Sequence, residues 1–157
     1  MTAESRAAQV VAALTDRGQT VATAESLTAG GVCVMLTTVA GSSAVVRGGL
    51  VVYASDLKTS LAGVDEELLA EHGAVHPEVA IQLAAGARAR CGADWGLGLT
   101  GVAGPGPADG VAAGTVFIGL VGPAVRTCRS LRSPGDRAGV RADAVAAAVD
   151  LLGEHLC

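Results

Sequence analysis

Helical and strand periodicities alternate along the whole chain, and this alternation narrows the choice of folds more than any other feature. Between residues 4 and 17, Ala7, Val10, Val11 and Leu14 fall at i, i+3, i+4 and i+7, the stripe of a surface helix, and Gly18 ends it. Thr20 to Thr23 reads as a short strand, and Ala24-Glu25-Ser26 turns into an apolar, Gly-containing stretch, Leu27 to Val39, which predicts a helix with Ser26 at its entry. After the Gly41-Ser42-Ser43 break, Gly48 to Tyr53 is rich in strand formers, and Ser55 to Leu61 and Glu66 to Glu71 read as short helices. Pro77 suits the first turn of a longer helix reaching Arg90, with Val79, Leu83 and Ala87 on one face. Trp95 to Thr100 reads as a buried strand, and a Gly/Pro-rich loop follows from Gly101 to Gly114. Strands Thr115 to Val121 and Val125 to Leu131 meet at Gly122-Pro123, and a last helix from about Asp136 aligns Val140, Ala144, Ala147, Ala148 and Leu151. Such elements bury their apolar faces as a sheet covered by helices on both sides, a three-layer α/β/α sandwich. The final hairpin makes the sheet mixed, and residues 1–157 are expected to form a single domain.

Composition excludes several classes. Of 157 residues 50% are apolar and 17% charged, which is too hydrophobic and too weakly charged for a disordered chain. The net charge is −4, no Lys/Arg stripe tracks a phosphate backbone, and one Trp, one Tyr and one Phe do not build a stacking platform, so nucleic acid is not an expected partner. The start, MTAESRAAQVVAALTDRG, lacks the basic and then unbroken apolar segments of a secretory signal, and no run is long enough to span a bilayer. A soluble, cytoplasmic protein with no membrane partner is expected. Cys33, Cys91, Cys128 and Cys157 form no C-x-x-C pair and have no His at ligand spacing, so no metal is expected and the thiols read as reduced, with Cys33 and Cys128 as small core residues.

Several residues carry possible chemistry. Ser26 at a strand-to-helix turn faces the free N–H groups of a helix start, a geometry that holds an oxyanion, although Ser is also a common helix cap. His72 and His76 flank a turn and His155 lies near the end of the chain, so no His is an obvious base. Lys58 is the only lysine among eleven basic residues, and the ten arginines do not lose a proton near neutrality. It becomes a base only if desolvation or a neighbouring cation lowers its pKa; otherwise it is a solvated helix residue. Ser55-Asp56-Leu57-Lys58 matches S-x-x-K without the accompanying S-D-N and K-T-G, and Ser55 reads more simply as a helix cap. The loop Gly101-Val102-Ala103-Gly104-Pro105-Gly106-Pro107 matches neither standard nucleotide motif, yet its glycines allow N–H groups to converge on an anion; a plain long turn reads equally well. Arg137 and Arg141 sit one turn apart at the last helix start and match phosphate or carboxylate, or are simply solvated. Tyr53, the sole tyrosine, is placed to orient a lysine or a substrate, or to serve as core.

The segments ATAESLTAGG, AGSSAVVRGGLVVYASDLKTSLAGV, EHGAVHPEVA, LTGVAGPGPADG, GTVFIGL and SPGDRAGVR occur in this order. Together they resemble the CinA C-terminal domain family, also known as PncC, the nicotinamide-nucleotide amidohydrolases, from about Val21 to Arg141. The resemblance implies hydrolysis of the carboxamide of nicotinamide mononucleotide to nicotinate mononucleotide and ammonia, with no cofactor. It implies Ser26 as nucleophile, Lys58 as its base with Tyr53 beside it, and substrate contacts from Thr100, Gly101, Ala103, Gly104, Arg137 and Arg141. The family commonly has Asn where this chain has Ser55, which argues against a nucleophile there. The chain departs from the family pattern in TAESLTAG, for T-A-E-S-C-T-G, and in the loop GPADGVAAG, which lacks the Pro that often precedes V-G-T. A stand-alone form and, from the Ala/Gly-rich helices, a homo-oligomer are expected. The alternatives are a non-catalytic module binding a pyridine nucleotide or a partner, and a serine amidase with another substrate.

Overall fold

A threonine hydroxyl and a left-handed glycine set the ends of helix α1 (Ala3–Arg17) in the computed structural model, which describes residues 1–157. Thr2 accepts a hydrogen bond from the Ser5 N–H, and Gly18 at φ +63° returns its own N–H to Leu14 and Thr15. The chain then forms β1 (Val21–Glu25), α2 (Gly31–Thr37), a 3-10 turn (Ser42–Ala44), β2 (Val46–Val51), α3 (Ser55–Ser60) and α4 (Glu66–His72). It continues through α5 (Pro77–Cys91), β3 (Trp95–Gly101), β4 (Thr115–Gly122), β5 (Val125–Arg132) and α6 (Arg137–Leu156).

The sheet runs in the order β2-β1-β3-β4-β5. β1 is parallel to both neighbours, with Thr23 opposite Gly49 and Leu97, whereas β3, β4 and β5 are antiparallel, with Gly98 opposite Gly119. All five residues of β1 are buried, as a central strand covered on both faces requires. One face carries α1, α2 and α6 over a core of 23 buried residues that includes Leu14, Leu36, Leu97, Ile118 and Leu152. The other carries α5, with α3 and α4 beside it, over a smaller cluster containing Ala22, Val52, Val79 and Leu83. The expected single-domain three-layer α/β/α sandwich with a mixed sheet is what forms.

α5 lies very close to the sheet because the sheet offers it glycine. A Cβ built on Gly96, Gly98 or Gly119 would collide with the backbone of α5 at Ala80 or Ala84. Small residues on both sides therefore set the spacing of this layer.

Several expectations are corrected. The helix expected over Leu27 to Val39 occupies only Gly31–Thr37, because Ala29 (φ +49°) and Gly30 (φ +97°) are left-handed and interrupt the helical path that the apolar pattern suggests. Ser26 therefore caps no helix, and neither does Ser55, since Ala54 is the N-cap residue of α3 and no side chain caps it. Cys33 and Cys128 are half-buried at the margins of the core rather than inside it. No helix is long and apolar enough to cross a membrane.

Candidate active site

Parallel strands deliver their following residues to one edge of the sheet, where such folds build sites. Here β1 runs directly into Ser26, β2 leads through residues 52–54 into α3 and Lys58, and β3 ends with Thr100 and Gly101. These residues line a cavity of about 410 Å³, together with Tyr53, Ser55 and the loop from Val102 to Asp109, and Arg137 from the first turn of α6 completes it.

Lys58 is the least expected occupant. It is 2% exposed and has no carboxylate partner. Its Nζ donates to the carbonyl oxygens of Val52 (2.9 Å) and Tyr53 (3.1 Å). Burial lowers its pKa from the ordinary lysine value, since the charged form loses its hydration and gains no counter-ion. Ser26 is 8% exposed, and its N–H donates to Leu99 O at 3.0 Å, fastening the turn to β3. Both hydrogen bonds of Nζ go to carbonyls, so Ser26 and Lys58 share the cavity wall without a direct bond. A substrate group or a water between them would connect them.

Ser26 sits in a tight turn rather than at a helix start, so the oxyanion donors expected from a helix are not available. The first free N–H groups of α2, those of Val32 and Cys33, donate instead to the Glu25 carboxylate. Within the turn, Ala29 N–H bonds Ser26 O and Gly31 N–H bonds Thr28 O, while the N–H groups of Leu27 and Thr28 enter none of the backbone bonds. Those two are the donors nearest Ser26 in sequence with no protein acceptor.

The remaining site residues divide. Tyr53, a residue 61% exposed, holds Lys58 through its carbonyl, while its hydroxyl accepts from Arg137 Nη2 at 3.2 Å. Arg137 Nη1 donates to Gly104 O at 2.6 Å, so both acceptors of this guanidinium are neutral and its charge is uncompensated. Thr100 Oγ1 donates to Ala74 O at 2.7 Å, tying β3 to the segment ahead of α5 that also borders the cavity. Gly101, Ala103 and Gly104 lie on the wall. Arg141 does not; its Nε donates to Leu27 O at 2.9 Å, so it braces the serine turn from behind. His72 and His76 stack with ring centroids 4.5 Å apart and do not line the cavity, and His76 Nδ1 caps α5 by accepting from Glu78 N–H.

Sequence reasoning missed two acidic residues. Asp109 lines the cavity from the Gly/Pro loop in a left-handed conformation (φ +51°), in the stretch where the chain departs from the family pattern. Glu25 is 0% exposed and accepts four hydrogen bonds directly behind Ser26. No group of three His, Cys, Asp or Glu side chains is placed to hold a metal ion.

Known proteins share this arrangement of elements. A CinA-like protein from Frankia casuarinae is 49% identical over 147 residues, covering 94% of this chain and 34% of its own. One from Myxococcus xanthus is 43% identical over 157 residues, covering 98% and 37%. The chain thus spans about a third of the length of the curated relatives it matches. Among solved structures, a competence-damaged protein (CinA) superfamily protein from Klebsiella pneumoniae superposes with a TM-score of 0.94 at 32% identity, over 99% of this chain and 98% of that one. A competence or damage-inducible protein from Enterobacter asburiae gives 0.96 at 30%, over 100% and 99%. The family model described as CinA C-terminal domain matches residues 3–156, and this chain belongs to that family.

Proposed function

We propose that this domain hydrolyses the carboxamide of nicotinamide mononucleotide through a Ser26–Lys58 dyad. The observation that carries the reading is Lys58, a buried lysine without a counter-ion on the wall of the cavity that Ser26 lines. Holding a charged amine in that position is costly, and the same burial favours the neutral form that a general base needs.

Neutral Lys58 Nζ takes the proton of the Ser26 hydroxyl as Oγ bonds to the amide carbon, and the carbonyl oxygen becomes an oxyanion held by the turn N–H groups of Leu27 and Thr28. The ammonium of Lys58 returns that proton to the departing nitrogen, the C–N bond breaks and ammonia leaves. Water then attacks the ester, giving a proton to Lys58, and the C–O bond to Ser26 breaks. Lys58 returns that proton to Oγ, and the carboxylic acid of nicotinate mononucleotide gives its own proton to the solvent and leaves as the carboxylate. Arg137 supplies the uncompensated positive charge that a phosphate monoester needs.

The test is release of ammonia and nicotinate mononucleotide by the purified protein, alongside Ser26→Ala and Lys58→Ala. Each variant is expected to lose activity by about a hundredfold to ten-thousandfold. Binding of the nucleotide without turnover by the unaltered protein would replace this reading with a binding module, and turnover of other amides alone would replace the substrate.

A further inference from the structure

We propose that Glu25 is a positioning residue, a buried carboxylate that fixes the turn carrying Ser26 by fastening strand, turn and helix to one group. The inference rests on the reading of Ser26 as a nucleophile.

Glu25 is the last residue of β1 and directly precedes Ser26. It has no cation beside it, yet its side chain is fully buried. One oxygen accepts from Thr28 Oγ1 (2.7 Å) and the Val32 N–H (2.9 Å), the other from Thr23 Oγ1 (2.9 Å) and the Cys33 N–H (3.2 Å). A carboxylate offers about four acceptor sites, so this one is saturated.

The donors come from three places. Thr23 is in β1, Thr28 is in the turn, and Val32 and Cys33 begin α2. A neutral Ser or Asn would satisfy a helix start at much lower desolvation cost, because burying an unpaired charge is among the most expensive choices available to a fold. What a small cap would not do is hold both sides of a five-residue bend at once. The Leu27 and Thr28 N–H groups lie inside that bend, so the same carboxylate sets where they point relative to Ser26 Oγ. Arg141 meets the bend from outside, at Leu27 O, and the Ser26 N–H ties it to Leu99. Among these anchors only Glu25 bonds to strand, turn and helix together.

Glu25→Gln tests this, since the amide nitrogen donates where a carboxylate oxygen accepts: the threonine hydroxyl on that side can reverse its bond, but the backbone N–H of Val32 or Cys33 loses its acceptor. The readouts are kcat and KM for nicotinamide mononucleotide, the rate at which a fluorophosphonate labels Ser26, and the thermal midpoint. The expected result is a folded protein with kcat and labelling both lower by about tenfold to a hundredfold and KM within about twofold of the unaltered value. Should that variant not fold, Thr28→Val removes one donor while keeping the shape, with a smaller loss in kcat and labelling that Thr28→Ser restores. A lowered midpoint with kcat and labelling unchanged would make Glu25 a structural cap and overturn the proposal. If the unaltered protein labels at Ser26 but releases no ammonia, the substrate reading falls and Glu25 is judged on labelling alone. If it neither labels nor turns over, both fall, because no reactive serine is left to position.

Discussion

Folding and the proposed chemistry ask Lys58 for the same form. Folding places it where its charged form is poorly hydrated, and the proposed chemistry needs the form that this burial favours. An unfolded chain would hold the Lys58 proton up to about pH 10.4, whereas the folded chain releases it at lower pH. Between those two values the unfolded state binds more protons, so raising the pH through that window stabilises the fold, and below it the buried ammonium imposes a constant cost. Comparing chemical denaturation of the unaltered protein and Lys58→Met over a pH series checks this: the stability of the variant relative to the unaltered protein is expected to fall as the pH rises. At the lower edge of that window, where folded Lys58 loses its proton, kcat is expected to climb with pH and then level off, and the residual rate of Lys58→Ala is expected to lack that limb. Uniqueness made Lys58 visible in the sequence, and the strand-to-helix change made Ser26 visible. Glu25 was not visible, because its role depends on donors up to eight residues further on that converge only once the turn has closed.

Elements of this protein are set by contacts that periodicity does not record. The apolar run after Ser26 has helical spacing, but left-handed backbone at Ala29 and Gly30 keeps its first turn from forming. The first turns of α6 illustrate the opposite case, where helical spacing was read correctly but gave no hint that its two arginines do different work. Arg137 reaches the cavity and Arg141 the back of the serine turn, so Arg137→Ala is expected to raise KM and Arg141→Ala to lower kcat with little change in KM; steady-state kinetics of both separates the roles. On the opposite face, Gly98→Ala would press a methyl into the backbone of α5 near Ala80 and Ala84. The expected cost is about 1–3 kcal/mol or more. Calorimetry would register this as a Tm lower by about 2–4 °C for each kcal/mol. Because Thr100 is bonded to Ala74 just ahead of α5, displacement of that helix should also disturb the cavity wall.

Across the whole molecule, one sheet serves two cores. β1 contributes Val21 to the larger core and Ala22 and Ala24 to the smaller, so neither side can open while the strand stays intact. Unfolding is therefore expected to be a single transition whose calorimetric and van't Hoff enthalpies agree; two resolved heat peaks would contradict it. This level was the most readable from sequence, because alternating periods and a closing hairpin admit few layered solutions, whereas the union of Ser26, Lys58 and Arg137 depends on strand order, which no local pattern encodes. α6 also has a practical geometry. Its first turn borders the cavity, and its 20 residues extend about 30 Å to the opposite end, where Arg17 reaches the Leu156 carbonyl. Cys157, the one exposed cysteine among four, stands at that far end, and the other three are half-buried. A dye or a surface tether coupled there would leave the cavity facing solution, so the protein carries its own attachment point for watching single molecules.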